Sequence, residues 1–352
     1  AMKRQFTALL LTVFALSLVG CGEKAAVQSE TRTVYAMDTV MNLTVYGENA
    51  AAALESAEQE LHTLDESVLS RTAEGSELYA LNAANGETVI YGADDALPAL
   101  IEAALTISDA TNGAFDPTLA PVLDAWGFTK DLHRVPSADE LAALLARTGR
   151  DKVALEKTAD GYSVALSDGT QLDLGGIAKG YAADVLRAQL EKEGVTSATL
   201  DLGGDVFVMG RKSDGTDWRI AVKNPADTES YLGVVSAADK FIVTSGVYER
   251  YFEENGVRYH HIIDPKTGSP AESGLVSVTV LCENGAWADA LSTACFVLGA
   301  DGALALRNAL SAQGTDFELI LVTDDDRVLY TGGLADAFTP NDESGYTYEA
   351  LA

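Results

Sequence analysis

The chain has 352 residues, with 24 Lys and Arg against 53 Asp and Glu, a formal charge of −29. So acidic a polypeptide is a poor partner for nucleic acid or an anionic lipid surface. An anionic ligand must be held by local N–H groups, a few cations or a metal.

At the N-terminus, Met2-Lys3-Arg4 and the apolar run Phe6 to Val19 have the layout of a signal peptide, too short to span a bilayer comfortably. The run ends Leu18-Val19-Gly20-Cys21, which resembles a bacterial lipobox. That resemblance implies removal of residues 1–20, lipidation of Cys21, and a membrane anchor on the extracytoplasmic (periplasmic) side. Losing Lys3 and Arg4 leaves 22 basic against 53 acidic side chains, a charge of −31. Residues 21–32 read as a polar tether, 33–340 as one domain and 341–352 as a tail.

Thr33 to Tyr46 alternates and is rich in β-branched and aromatic residues, predicting a strand broken at Met37-Asp38-Thr39. Asn49 to Ser67 has helical periodicity, a second short helix is expected within Ser70 to Asn82, and Ala96 to Thr111 is a helix closed by Asn112-Gly113. Ala114 to Pro121 reads as extended and proline-fixed, with Phe115 and Asp116 open to either a structural or a ligand role. Ser137 and Glu140 have capping-box spacing for a helix to Arg147.

Val164 to Leu174 is predicted as a strand ending in Asp173-Leu-Gly-Gly176, followed at once by a helix from Ile177 to Glu191. A glycine turn of this kind lets a ligand approach the backbone, and a helix start offers N–H groups to phosphate. Lys179 stands in the first helical turn, where the dipole disfavours a cation, so it is expected to meet an anion. The echo Leu200-Asp-Leu-Gly-Gly-Asp205 separates two further strands. Trp218 to Val222, Tyr231 to Ser236, Phe241 to Ser245 and Val276 to Leu281 continue a strand-rich half. A helix from Gly285 to Leu298 follows, then a hairpin through Asp324-Asp325-Asp326. The class is α+β or mixed α/β, not a doubly wound sheet.

On that last helix Asp289 and Thr293 share one face. A carboxylate and a hydroxyl suit Mg²⁺, although an ordinary helix acid beside a solvated threonine has the same spacing. His260 and His261 adjoin in a strand and point to opposite sides; one is a candidate general base, or both are satisfied structural residues. With His62 and His133 the only others, zinc-ligand spacing is absent. Cys282 and Cys295 fit buried small residues, a disulfide between them being the alternative. No GxSxG, Walker A or GxGxxG pattern occurs.

Five pieces in order carry a resemblance: Met37-Asp38-Thr39, Gly113-Ala-Phe-Asp116, Asp173 to Asp184, His261-Ile-Ile-Asp-Pro-Lys-Thr-Gly268, and Ala288-Asp-Ala-Leu-Ser-Thr293. Together they resemble the ApbE family, FAD:protein FMN transferases that are often lipoproteins. The resemblance implies a T-fold-like α+β domain of two lobes with a flavin cleft between them. It matches Met37, Ala114, Phe115, Asp116, Asp173, Lys179 and Ile263 to FAD-contacting positions. Gly176, Asp289, Ser292 and Thr293 match metal-binding positions, and His261 the proposed base. The implied reaction is Mg²⁺-dependent transfer of FMN from FAD to a Thr or Ser hydroxyl of an extracytoplasmic flavoprotein, releasing AMP. FAD hydrolysis and non-enzymatic flavin binding are the alternatives. Two positions depart from the family pattern: Asp38 stands where glycine is usual, and Thr72 where an aromatic is.

Overall fold

The computed structural model describes residues 28–128 and 132–351, so the expected signal segment and Cys21 lie outside the described residues. The first strands are β1 (Ser29–Ala36) and β2 (Thr39–Tyr46), an antiparallel pair joined by Met37 and Asp38 at φ of 50° and 58°. The expected break in one strand is therefore a two-residue hairpin turn, which requires positive φ at both positions; aspartate tolerates that conformation. The predicted tether is also shorter than 21–32, because Ser29 to Arg32 pair with Leu43 to Tyr46.

Then come α1 (Ala50–His62), α2 (Glu77–Asn82), β3 (Val89–Gly92), α3 (Ala96–Ala110), α4 (Ala120–Trp126) and α5 (Ala138–Leu145). α4 replaces the end of the segment expected to be extended, since Pro121 falls where its missing N–H costs nothing. Ser137 caps α5 by accepting the Glu140 N–H, while the Glu140 carboxylate turns to Arg134 instead of completing the box. Next are β4 (Val153–Lys157) and β5 (Gly161–Leu166). The strand predicted to run to Leu174 thus stops at Leu166, and Ser167 to Leu174 form a turn and connector.

α6 (Gly175–Lys192) leads to β6 (Ala198–Asp201), β7 (Asp205–Met209), β8 (Trp218–Asn224), β9 (Asp227–Ala237), β10 (Lys240–Gly246), β11 (Tyr251–Glu254) and β12 (Val257–His260). The chain closes with β13 (Leu275–Cys282), α7 (Gly285–Ser311), β14 (Phe317–Thr323), β15 (Arg327–Thr331), β16 (Phe338–Pro340) and β17 (Thr347–Leu351). α7 continues past the predicted Leu298 through a kink at Gly299. The expected tail carries a strand, since β17 (Thr347–Leu351) lies parallel to β15 at the sheet edge.

Nine strands form the main sheet, in the order β1-β2-β6-β7-β10-β13-β14-β15-β17, all neighbours antiparallel except the last pair. Its two faces feed different cores: Val243 and Leu321 face α6 and α7, while Ile242 and Ile320 face the small sheet β16-β9-β8. Successive strand residues must point oppositely, which is why these central strands read as continuous apolar runs. A third cluster gathers Leu119, Trp126 and Ile263 around α4, α5 and the β11–β12 hairpin. The fold is α+β. Cys282 and Cys295 are both buried and unpaired.

Candidate functional site

A cavity of about 1080 Å³ opens where the three cores meet. Phe115 borders it from the first core, Trp218 and Ile242 from the second, Leu119 and Ile263 from the third. Of the positions picked out in the sequence, Met37, Ala114, Phe115, Asp116, Asp173, Gly176, Lys179, His261, Ile263, Asp289 and Thr293 all line it. Ser292 does not: its hydroxyl is buried behind the wall, donating to the Asp289 carbonyl at 2.7 Å and meeting Ser245 Oγ at 2.6 Å.

The crossing of α6 and α7 builds one wall. A Cβ on Gly180 would lie 2.0 Å from the Gly285 carbonyl oxygen, and one on Gly285 would lie 2.2 Å from that of Gly180. Only paired glycines permit this backbone contact. Asp184 fixes it further by accepting the Gly285 and Ala286 N–H groups, both at 2.9 Å, so this acid caps α7 and takes no part in the cavity lining. The closeness brings Asp289 Oδ2 within 3.0 Å of the Gly180 N–H. In an unbroken helix that N–H would serve the Gly176 carbonyl. Gly176 also leaves helical geometry (φ −86°, ψ 15°), which weakens the ladder's hold on its carbonyl. Thr293 Oγ1 lies 3.5 Å from where a Gly176 Cβ would stand. Asp289, Thr293 and Gly176 therefore present hard oxygens to one corner.

Lys179 does meet an anion, and it belongs to this chain: its Nζ is 2.7 Å from Asp205 Oδ2. Burial opposes the ammonium charge, but Asp205, Asp289 and Glu249 outweigh it and hold its pKa above the ordinary lysine value. Burial, and then Asp289, push Asp205 well above the usual carboxylate range despite the lysine. Two buried carboxylates thus share one ammonium, a surplus of negative charge that a divalent cation would offset. Among the described residues no three Asp, Glu, His or Cys side chains converge to hold a metal alone. A Mg²⁺ here would complete its shell with ligand oxygens and water, its usual habit at phosphate sites.

The glycine turn offers fewer N–H groups than expected. Gly175 N–H is bound by Asp173 Oδ1 at 2.8 Å, and Ile177 and Ala178 both donate to the Leu174 carbonyl. Asp173 is also paired through Oδ2 with Arg71 Nε at 2.7 Å, and Arg71 reaches Asp124 as well. Arg71, beside the Thr72 that stands in the aromatic's place, so ties the turn to α4. Asp116 is turned to Thr118, and burial raises its pKa against those two hydrogen bonds.

The two histidines point different ways as expected, although β12 ends at His260 and His261 falls in the bend just past it. His260 is buried against Phe296, with Nε2 3.2 Å from the Ala271 carbonyl. His261 faces the cavity, its Nδ1 3.2 Å from the Arg250 carbonyl. A carbonyl only accepts, so Nδ1 carries the proton and Nε2 keeps its lone pair. Desolvation, reinforced by Arg250, His260 and Lys179, lowers the imidazole to about 4, so it is neutral at physiological pH. Ser245, Glu249, Arg250 and residues 218–223 of β8 line the site without having been picked out in the sequence, and Asp205 joins it from behind through Lys179. Only Asp205 carried a cue, as the acid ending the glycine echo.

The ApbE family profile matches residues 37–316. An FAD:protein FMN transferase of Treponema pallidum (strain Nichols) is 37% identical over 332 residues, 90% of each chain. One from Escherichia coli (strain K12) is 32% identical over 314 residues, 86% of this chain and 89% of that one. The crystal structure of the ApbE protein from Thermotoga maritima superposes with a TM-score of 0.77 at 33% identity, covering 90% of this chain and 97% of that one.

Proposed function

The chain belongs to the ApbE family, and on that premise we propose that it is an FAD:protein FMN transferase. It moves FMN from FAD to a Thr or Ser hydroxyl of an extracytoplasmic flavoprotein and releases AMP. The observation that carries this reading is the convergence on one cavity of a neutral imidazole with a free Nε2 and a corner of hard oxygens beside a lysine.

His261 Nε2 takes the proton of the acceptor hydroxyl. The oxygen forms a bond to the FMN-side phosphorus, and the P–O–P linkage breaks with the electron pair leaving on AMP. Transfers of this kind demand mainly positioning and charge stabilisation. Asp289, Thr293 and the Gly176 carbonyl would hold Mg²⁺, with Ser292 bracing the Asp289 backbone. When bound, that ion supplies charge neutralisation at the diphosphate. Lys179, kept protonated by its acids, adds a fixed positive charge beside it. Met37, Phe115 and Ile263 give apolar walls to a flavin, and the turn at Asp173 borders it. Lipidation at Cys21 would place the enzyme on the outer face of the cell membrane.

The experiment combines the chain, FAD, Mg²⁺ and an acceptor domain, and reads an added FMN mass. The wild type is expected to form the adduct, and His261→Ala to slow it by about 10²- to 10⁴-fold while flavin binding persists. An undiminished adduct from His261→Ala would sink the proposed base.

A further inference from the structure

One wall of the cavity is a strand that is paired on one side only. β8 is bonded to β9 and ends the three-stranded sheet β16-β9-β8. Every residue from Trp218 to Lys223 lines the same cavity as His261 and Asp289. Side chains alternate between the faces of a strand, so a cavity against one face would be lined by every second residue. An unbroken run means that the cavity follows the edge, where backbone N–H and C=O groups point outward. Among the described residues, the backbone of Arg219 to Lys223 makes no hydrogen bond outside the β8–β9 ladder. Such an edge is a template for another strand.

The charge beside it is mostly basic, with Glu249 the acid set near Lys223 and Arg250 on the same cavity. Arg219 and Lys223 stand exposed on one face of β8, and the exposed Arg250 lies on the same cavity, in a chain of net charge −29. Apolar Val206 and Ile242 of the main sheet line the same cavity and share a core with Trp218 and Val222 of β8. The wall that carries Phe115, Asp173 and Gly176, where the proposed flavin site lies, is contributed by other elements.

We propose that the free edge of β8 is the docking site for the acceptor, which binds as an added strand. The occupant is an extended, acidic segment of the target protein, presenting its Thr or Ser hydroxyl towards His261. This inference rests on the FMN-transfer reading. Charged residues on an edge strand also serve simply to prevent aggregation, and in that case nothing should pair there.

The test uses the full chain loaded with FAD and Mg²⁺, and acetylated peptides of about ten residues, long enough to cover β8, carrying one threonine among aspartates. Amide exchange across Arg219 to Lys223 should slow by about tenfold or more on adding peptide, with FMN mass appearing on the threonine. Methylating alternate backbone nitrogens of the peptide should abolish both, because it removes the donors a ladder needs. In the double variant Arg219→Glu, Lys223→Glu, the preference for aspartate-flanked over lysine-flanked peptides should invert, by about tenfold. An unfolded variant cannot produce that inversion. Transfer that ignores both peptide charge and N-methylation overturns the docking site and leaves the transfer reading standing. Protection of β8 without any FMN transfer does the reverse. No protection with any peptide also overturns the docking site.

Discussion

The two walls of the cavity are built on opposite principles. At the α6–α7 crossing backbone meets backbone, glycine against glycine, and a buried carboxylate is hydrogen-bonded across the contact. At β8 a single strand pairs on one side, with its exposed residues facing solvent. Close packing cannot deform to admit an atom, whereas an open edge can. The rigid wall is suited to holding groups that must not move during chemistry, and the open one to admitting a large partner. The contrast can be tested from each side.

The largest effect should come from adding one methyl group to the rigid wall. In Gly180→Ala the new Cβ would need the space of the Gly285 carbonyl and stand 2.8 Å from Asp289 Cβ. Both obstacles are fixed, because Asp184 and Asn284 cap α7 from either side. Urea denaturation should show a loss of about 3 kcal/mol, at the upper end for overpacking. A loss below about 0.5 kcal/mol would mean that the crossing is softer than its geometry implies.

Next is the pH dependence of transfer. A general base works only while neutral, so activity is lost as pH falls through its pKa. For His261 that value is lowered to about 4, chiefly by desolvation. The acid limb of kcat/KM should therefore lie well below the ordinary histidine value of about 6.5. A limb at the ordinary value would indicate that the imidazole is solvated in the working enzyme.

Asp289→Asn should separate function from stability. Transfer should fall by about 100-fold or more, since the variant lacks the one carboxylate at the oxygen corner. The metal-free protein should nevertheless gain about 1 kcal/mol. Asparagine keeps an oxygen for the Gly180 N–H, and Lys179 and Asp205 are left as a balanced pair. Asp205, whose folded pKa is raised by burial and then by Asp289, destabilises the fold increasingly as pH rises above the unfolded value of about 4. The advantage of the variant should thus grow between acid and neutral pH. Thermal unfolding with chelator present checks the sign, and a destabilised variant would deny the surplus of buried charge.

Much of the rigid wall was legible in the sequence because it is local. The glycine turn before α6 and the i, i+4 pair Asp289 and Thr293 are short-range patterns, and all of them line the cavity. What the sequence hid depends on strand order. Asp205 becomes the partner of Lys179 only once β7 is placed beside β6 and α6 packs over it. Residues 347–351 look like a tail until β15 offers them an edge. The second half of α7 was lost at Gly299, whose positive φ reads locally as a stop. The open wall was invisible as a site, since β8 has an ordinary strand pattern and nothing in it says that one edge stays bare.

The smallest effect should come from the open wall. Ala221 lies exposed at the middle of β8, and Ala221→Val adds more bulk than Gly180→Ala does. A β-branched residue suits an extended backbone, and at an exposed position the added methyls have solvent to enter. Stability by urea titration should stay within about 0.5 kcal/mol of the parent. Yet the residue stands between Arg219 and Lys223 on the lining, so a valine there would meet the side chains of any strand laid along the edge as a cross-strand neighbour. If KM for an acceptor peptide moves while the urea midpoint does not, the two walls differ as their packing suggests. If instead the midpoint drops as far as in Gly180→Ala, β8 is as tightly enclosed as the helix crossing, and its edge is not open to a partner.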